Sequence, residues 1–581
     1  VIFAKNIFPE DIIPENNKNN FVNIYKIIEK TNNIKEKNYY EPKYIDNNGK
    51  ITYDTKPLLQ RANTVSTNGY IKENEYRIGS SFSAPRIAKL AYDLKERYPF
   101  LTYTQIKQII LTTADRDDSG YLSNLTGWGV VNYNKAMKGI SNLNAGLIEE
   151  SKYFNGMYEK IYDKKGNIFF YLDIPNGTIA KWENDISSGL EGDGNSLDSD
   201  IIEYNAQFSK SYDVIKKYQY RVPRVIDSER NFYANVKQAG LRKAGKGQIT
   251  LSGKQNYTTD TEILDGTLVL ANDSLSRYLV SKNATLRISS KDLNGNVDIK
   301  NNIISSGKVT ITDNTTIKEY IGLKDSSLKI VAGKTSTATT GQSSLLFYTE
   351  GNGKILVNGT MNATIKGGTT PALRGTAFYY KSPGASYGVF DKDTVKNYFD
   401  TSFGNGAGTS TLNNLTLNME QGSRLFVASN VAMNLSDTDA TALMSQVTTQ
   451  KPLITGSNDY KTFMLYLSKL NINQSVDLND PNNAYNKLEI SNSSIDNNNS
   501  NTITGTQTGQ TAIAQENLLS NRAAVTLNNN GAINLSGANS TGMYAKFGII
   551  NNNATGTITL GDTSTGLYGT ADSILTNTGN I

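Results

Sequence analysis

Histidine and cysteine are both absent from the 581 residues of this chain. Without cysteine there are no disulfide staples and no thiolate ligands, and with histidine missing as well a protein zinc site would have to be all carboxylate. Metal catalysis drops out on that ground, and no cofactor is expected. A serine nucleophile would also find no imidazole in this chain to take its proton. Charge of one sign is scarce too: charged residues make up 19%, the net charge is +5, and no dense Lys/Arg block occurs, so a nucleic-acid partner is not expected. There is no run of about 20 apolar residues that could cross a membrane as a helix. Val1-Ile2-Phe3-Ala4-Lys5-Asn6 lacks the basic region, long apolar stretch and cleavage site of a signal peptide. It reads as a strand from inside a domain, while Asn577-Thr578-Gly579-Asn580-Ile581 stops partway through a repeat. The expectation is a fragment of a longer protein.

A chain of 63.7 kDa exceeds what one hydrophobic core supports, so several domains or a repeat array are expected. Composition shifts near residues 145 and 245, from Lys, Ile and Tyr toward Asn, Thr, Ser and Gly. In the first section Ile87, Leu90, Ala91 and Leu94 share one helical face, with Pro99 beyond its end. Thr102 and Gln105 make a capping-box pattern before a second helix that carries Ile106, Ile109, Ile110 and Thr113 on one face. Past 245 the period becomes two, as in Gln248-Ile249-Thr250-Leu251-Ser252-Gly253 and Gly266-Thr267-Leu268-Val269-Leu270, which reads as short strands between Gly and Asn turns. Gly531-Ala532-Ile533-Asn534-Leu535 recurs as Gly556-Thr557-Ile558-Thr559-Leu560, and Gly542-Met543-Tyr544 recurs as Gly566-Leu567-Tyr568. A period of roughly 25 residues with such strands favours a parallel β-helix, in which Ile533 and Leu535 stack on Ile558 and Leu560. Asparagine runs such as Asp496-Asn497-Asn498-Asn499 read as turns.

The chemistry-bearing segment is Gly79-Ser80-Ser81-Phe82-Ser83-Ala84-Pro85. Small residues let the backbone turn tightly into the first helix and leave the Ser81 hydroxyl exposed at a helix N-terminus, where unpaired N–H groups stabilise developing negative charge. Pro85 is expected in the first helical turn, which has no hydrogen bond for it to break. The motif resembles the nucleophile signature of subtilisin-like serine proteases. Its flanks do as well: Ala62-Asn63-Thr64-Val65-Ser66-Thr67-Asn68-Gly69 upstream, Ile106 to Ala114 downstream, then Gly127-Trp128-Gly129-Val130-Val131-Asn132. Trp182-Glu183-Asn184-Asp185-Ile186 resembles a linker of autotransporter passengers. Gly240 to Gly253, with Asn256-Tyr257-Thr258 and Gly266 to Leu270, resembles a passenger-associated transport repeat.

The resemblance implies an α/β partial subtilisin-like domain followed by an all-β parallel β-helix solenoid: residues 1–140 the C-terminal portion of the peptidase, 141–245 a β-rich connector, and 246–581 a passenger β-helix. It implies Ser81 as nucleophile and Asn6 as oxyanion donor, although Lys5 stands where the family has glycine. The family's Asp and His precede these residues in chain order and would lie before Val1. Asp115, Asp117 and Asp118 follow the second helix in what reads as a solvated loop, and are not nominated as substitutes. The implied partners are protein or peptide substrates, the missing N-terminal protease half, a C-terminal translocator β-barrel of the bacterial outer membrane, and host-surface or matrix proteins. The isolated chain is expected to be inactive. A non-enzymatic β-helical adhesin carrying a degenerate protease remnant stays open beside this reading.

Overall fold

The computed structural model describes residues 3–9, 21–29, 35–45, 51–53, 64–72, 76–78, 80–116, 127–148, 151–154, 157–160, 168–189, 238–292, 295–341, 344–370, 373–406, 410–436, 452–516 and 525–581, with residues 15, 442 and 445. The chain divides into two compact units, Val1–Arg277 and Tyr278–Ile581.

In the first unit, strand Phe3–Pro9 runs parallel to Thr64–Asn68, with Phe3 opposite Thr64 and Asn6 opposite Thr67. Its far end pairs antiparallel with Lys35–Ile45, which also holds Phe21–Glu29 and Ile51–Tyr53. Helix α1, Ser80–Arg97, packs on the first two strands. The expected face is its buried one: Leu94 is inaccessible, and Ile87 and Leu90 are nearly so. Helix α2, Tyr103–Thr112, begins at a full capping box, in which Thr102 accepts from the Gln105 amide while the Gln105 side chain accepts from the Thr102 amide. Satisfying two orphan N–H groups reciprocally fixes where the helix starts.

One detail differs from expectation. Because α1 begins at Ser80, Pro85 lies inside the helix beyond its first turn, and the N–H it lacks is the one that would reach back to the Ser81 carbonyl.

Within the stretch read as a connector, Asn142–Leu143 pairs in parallel with Ser187–Ser188, and a longer parallel ladder includes Phe169. Phe169–Asp173 pairs with Gly240–Ala244, and Ile179–Trp182 with Gln248–Leu251, which pairs in turn with Gly266–Leu270. Burial alternates along Ile179–Trp182 and Gln248–Leu251, which place one side chain in two against the core, while Gly240–Ala244 buries nearly all of its residues.

In the second unit one strip of parallel strands runs from Tyr278–Val280 to Thr565–Thr570. A second strip ends at Lys354–Val357, where helix α3, Lys392–Phe403, packs on that strand. Phe399 and Phe403 lie edge-on to Phe378 at 5.3 and 5.5 Å between ring centres. Further strips take over beyond it. The repeat stacks as its spacing predicts: Ile533 lies opposite Ile558, Leu535 opposite Leu560, and Tyr544 on Tyr568.

The asparagine run divides: Asn498 and Asn499 form the expected turn, across which the Asn501 amide donates to the Asn498 carbonyl, whereas Asp496 and Asn497 belong to the strand before it. Asn497 ends a strand, Ser494–Asn497, and is fully buried. It donates to Asn529, Asn529 to Asn552 and Asn552 to Asn577, at 2.7, 2.9 and 2.9 Å. A carboxamide has both a donor and an acceptor, so identical rungs chain them along the axis.

Candidate active site

Ser81 sits in the first turn of α1 with its side chain exposed, while Ser83, two residues on, is fully buried. The Ser83 hydroxyl donates to the Thr67 carbonyl at 3.2 Å, tying the serine turn to the strand beside it. Thr67 is the register partner of Asn6. Asn6 therefore belongs to a strand rather than a turn, one strand over from the one that anchors the serine turn. The geometry gathers the two residues predicted from sequence onto adjoining elements; the Asn6 side chain and Gly79 lie outside the described residues.

Gly127 to Asn132 closes the other side of the Thr64–Asn68 strand. Trp128 donates its amide to the Thr64 carbonyl, Ser66 donates to Gly129, and Val131 donates back to Ser66, all at 2.8 to 2.9 Å. Both glycines are required there. Gly127 and Gly129 have φ of +66° and +112°, and a Cβ would come within 2.2 Å of the Thr64 carbonyl oxygen and 2.0 Å of the Asp115 carbonyl oxygen respectively. Trp128 between them is fully buried, with the Arg116 guanidinium 5.2 Å over its ring.

Asp115 is not in a solvated loop. It is half-buried, bridges Val130 through paired backbone bonds, and accepts from the Asn132 amide at 3.0 Å. Asn132 in turn caps the short helix at Tyr133–Ala136. Asp117 and Asp118 lie outside the described residues.

Sequence reasoning missed how the segment is fastened to the first rungs. Asn184 donates to the carbonyls of Lys135 and Gly139 at 2.8 and 2.6 Å, and Trp182 lies over Gly139, where a Cβ would fall 2.3 Å from the ring. The Tyr98 hydroxyl donates to Met137 and Lys181, and Gln108 reaches the Leu147 carbonyl. Burial raises the Tyr98 pKa, which keeps its proton available for those carbonyls. Read as a linker, Trp182 to Ile186 is instead a strand end and clasp. The available signal was a tryptophan two residues before an asparagine, Trp182 and Asn184.

Lys243 is also fully buried. Its ammonium donates to the carbonyls of Gly245, Gly247 and Asp265 at 2.5, 2.6 and 2.7 Å, and desolvation lowers its pKa to about 8. It closes a turn of the coil. Among the described residues no cluster of acidic side chains could hold a metal ion.

Residues 44–129 match the subtilase family. This stretch is a subtilase segment. The chain is 48% identical over 62 residues to "Serotype-specific antigen 1" of Mannheimia haemolytica, covering 10% of this chain and 6% of that protein. It is 26% identical over 210 residues to "Extracellular serine protease" of Serratia marcescens, covering 36% of this chain and 16% of that protein. The chain thus spans a small part of the length of the curated relatives it matches. A subtilase segment followed by parallel β-helix rungs is the architecture that the sequence motifs implied.

Proposed function

We propose that this chain is the nucleophile half of a secreted subtilisin-type serine endopeptidase joined to its β-helical passenger, with Ser81 attacking the peptide carbonyl and Asn6 donating to the oxyanion. The observation that carries the reading is the exposed Ser81 at the N-terminus of α1, inside a stretch that matches the subtilase family. The positive end of that helix and its unpaired amides favour negative charge beside the hydroxyl. With no histidine in the chain, the proton must go to an imidazole supplied from outside these residues, and the isolated chain is inactive.

The names of the two relatives, one an extracellular protease and one an antigen, support a secreted or surface location. The coil is then the stalk of an autotransporter passenger carried through an outer-membrane barrel, and the peptidase it bears acts on protein substrates at the cell surface. The absence of cysteine suits such passage, because disulfide-locked folds obstruct a pore.

The test is to express the chain joined to the native upstream segment. Casein hydrolysis that disappears in Ser81→Ala supports the protease. Hydrolysis unaffected by Ser81→Ala refutes it, and absence of hydrolysis with an upstream segment lacking Asp and His supports the non-enzymatic adhesin.

A further inference from the structure

Among the described residues, the long strip of the second unit opens at a seam. Leu488–Ser491 pairs along its length with Phe463–Tyr466, and Thr511–Glu516 pairs along its length with Thr541–Lys546. Between Leu488–Ser491 and Thr511–Glu516, however, the ladder among the described residues is reduced to a single pair, Ser491 opposite Glu516. The chain before the seam reaches across it. A 3₁₀ turn, Ala484–Lys487, brings Tyr485 over so that its hydroxyl donates to the Ala512 carbonyl at 2.8 Å.

A cavity of about 360 Å³ lies in this seam, lined by both strands. Its size is at the lower end of small-molecule sites. Leu488, Ile490 and Tyr544 supply apolar walls. Gln515 lines it as well and is 1% exposed; neither its carboxamide oxygen nor its nitrogen has a hydrogen-bond partner among the described residues. A buried carboxamide without partners carries a penalty that a ligand able both to donate and to accept would remove.

The charges at the cavity favour an anion. The Glu489 carboxylate is already held by Arg374 at 2.9 Å and by Arg424 at 2.7 Å. Lys461 uses one of its three N–H donors on the Asn486 carbonyl at 3.0 Å. Burial, and then the neighbouring Arg374, holds the Lys461 pKa below the ordinary lysine range, a setting that a bound negative charge would relieve.

We infer that the seam between Leu488–Ser491 and Thr511–Glu516 binds a small carboxylate that carries an adjoining secondary amide and an apolar side chain, with Lys461 taking the carboxylate and Gln515 the amide. That is the chemistry of an N-acylated amino acid, either free or as the last residue of a peptide. The assignment is independent of Ser81 and of the proposed peptidase activity.

Isothermal titration of the full chain with N-acetyl-leucine, at concentrations up to about 10 mM, tests it. The expected result is saturable binding, weakened at least about tenfold by Lys461→Met and by Gln515→Leu, and similarly weakened when the probe is N-acetyl-leucine N-methylamide, which lacks the charge. Ala514→Trp, at an exposed position lining the cavity, blocks the site from outside should either buried variant fail to fold. Peptides of increasing length ending in leucine separate the two sources: affinity rising with length assigns a peptide C-terminus, and affinity confined to the acylated amino acid assigns a free molecule. No saturable binding overturns the inference. So does binding unchanged in Gln515→Leu, in Ala514→Trp or with the uncharged probe.

Discussion

Replacing Asn529 with alanine tests whether the buried asparagine ladder holds the coil together. Asn529 is fully buried in the middle of the stack, accepting from Asn497 and donating to Asn552. Truncation strands the Asn497 amide nitrogen and the Asn552 carbonyl oxygen away from water. Each unpaired buried polar group costs roughly 1–3 kcal/mol, and the emptied volume adds to this. A local loss of about 3 kcal/mol is the central expectation, equivalent to about a hundredfold in the opening equilibrium. Rungs of a solenoid open locally, so a global melting temperature is a poor readout. Hydrogen exchange of the flanking amides is the better assay: Asn530, which donates to the Asn497 carbonyl, and Asn553, which donates to the Asn529 carbonyl. Their protection is expected to fall by about two orders of magnitude. The control is Asn551→Ala. Asn551 bonds to Asn528 in a parallel, partly exposed stack, where water replaces the lost partner and the cost is expected to be within about 0.5 kcal/mol. Equal effects at 529 and 551 would refute the reasoning, because burial would then not be what makes the inner ladder matter.

Gly129→Ala is expected to unfold or strongly loosen the subtilase segment, since φ is +112° and the new methyl would lie 2.0 Å from the Asp115 carbonyl oxygen; an unchanged thermal transition would contradict it. Lys243 provides a pH test. Its folded pKa of about 8 lies below the unreacted value of 10.5, so the unfolded chain binds more protons between these values. The penalty for burying the charge is therefore complete below pH 8 and is relieved as pH rises toward 10.5. Chemical denaturation of Lys243→Met is expected to lose this upward slope, and a slope shared with the parent chain would exclude Lys243 as its source. Asn184→Ala leaves the Lys135 and Gly139 carbonyls without their donor, and limited proteolysis is expected to cut faster between residues 133 and 147. In the chain joined to its upstream segment, Asn6→Ala is expected to lower turnover by about 10²-fold or more, and normal turnover would remove the oxyanion role without touching Ser81.

Much of this molecule is legible in one dimension because its determinants are local or periodic. The faces of α1 and α2, the Thr102–Gln105 capping box and the exposed Ser81 depend on residues within a few positions of one another. The stacking of Ile533 on Ile558 follows from a repeat that returns the chain to the same azimuth at each turn of the coil. What tertiary structure decided involves partners far apart in sequence. Asn497 looks like a turn residue until the coil sets Asn529 beside it, and Asp115 looks solvated until Val130 and Asn132 return to cover it. Trp182 and Asn184 resemble a linker until the chain at 135–139 is brought beneath them. The opened seam at Gln515 is likewise invisible in sequence. It shows only once the rungs are stacked, where the pairing shrinks to Ser491 opposite Glu516 and the Tyr485 hydroxyl reaches the Ala512 carbonyl, contacts between successive turns that no local propensity encodes.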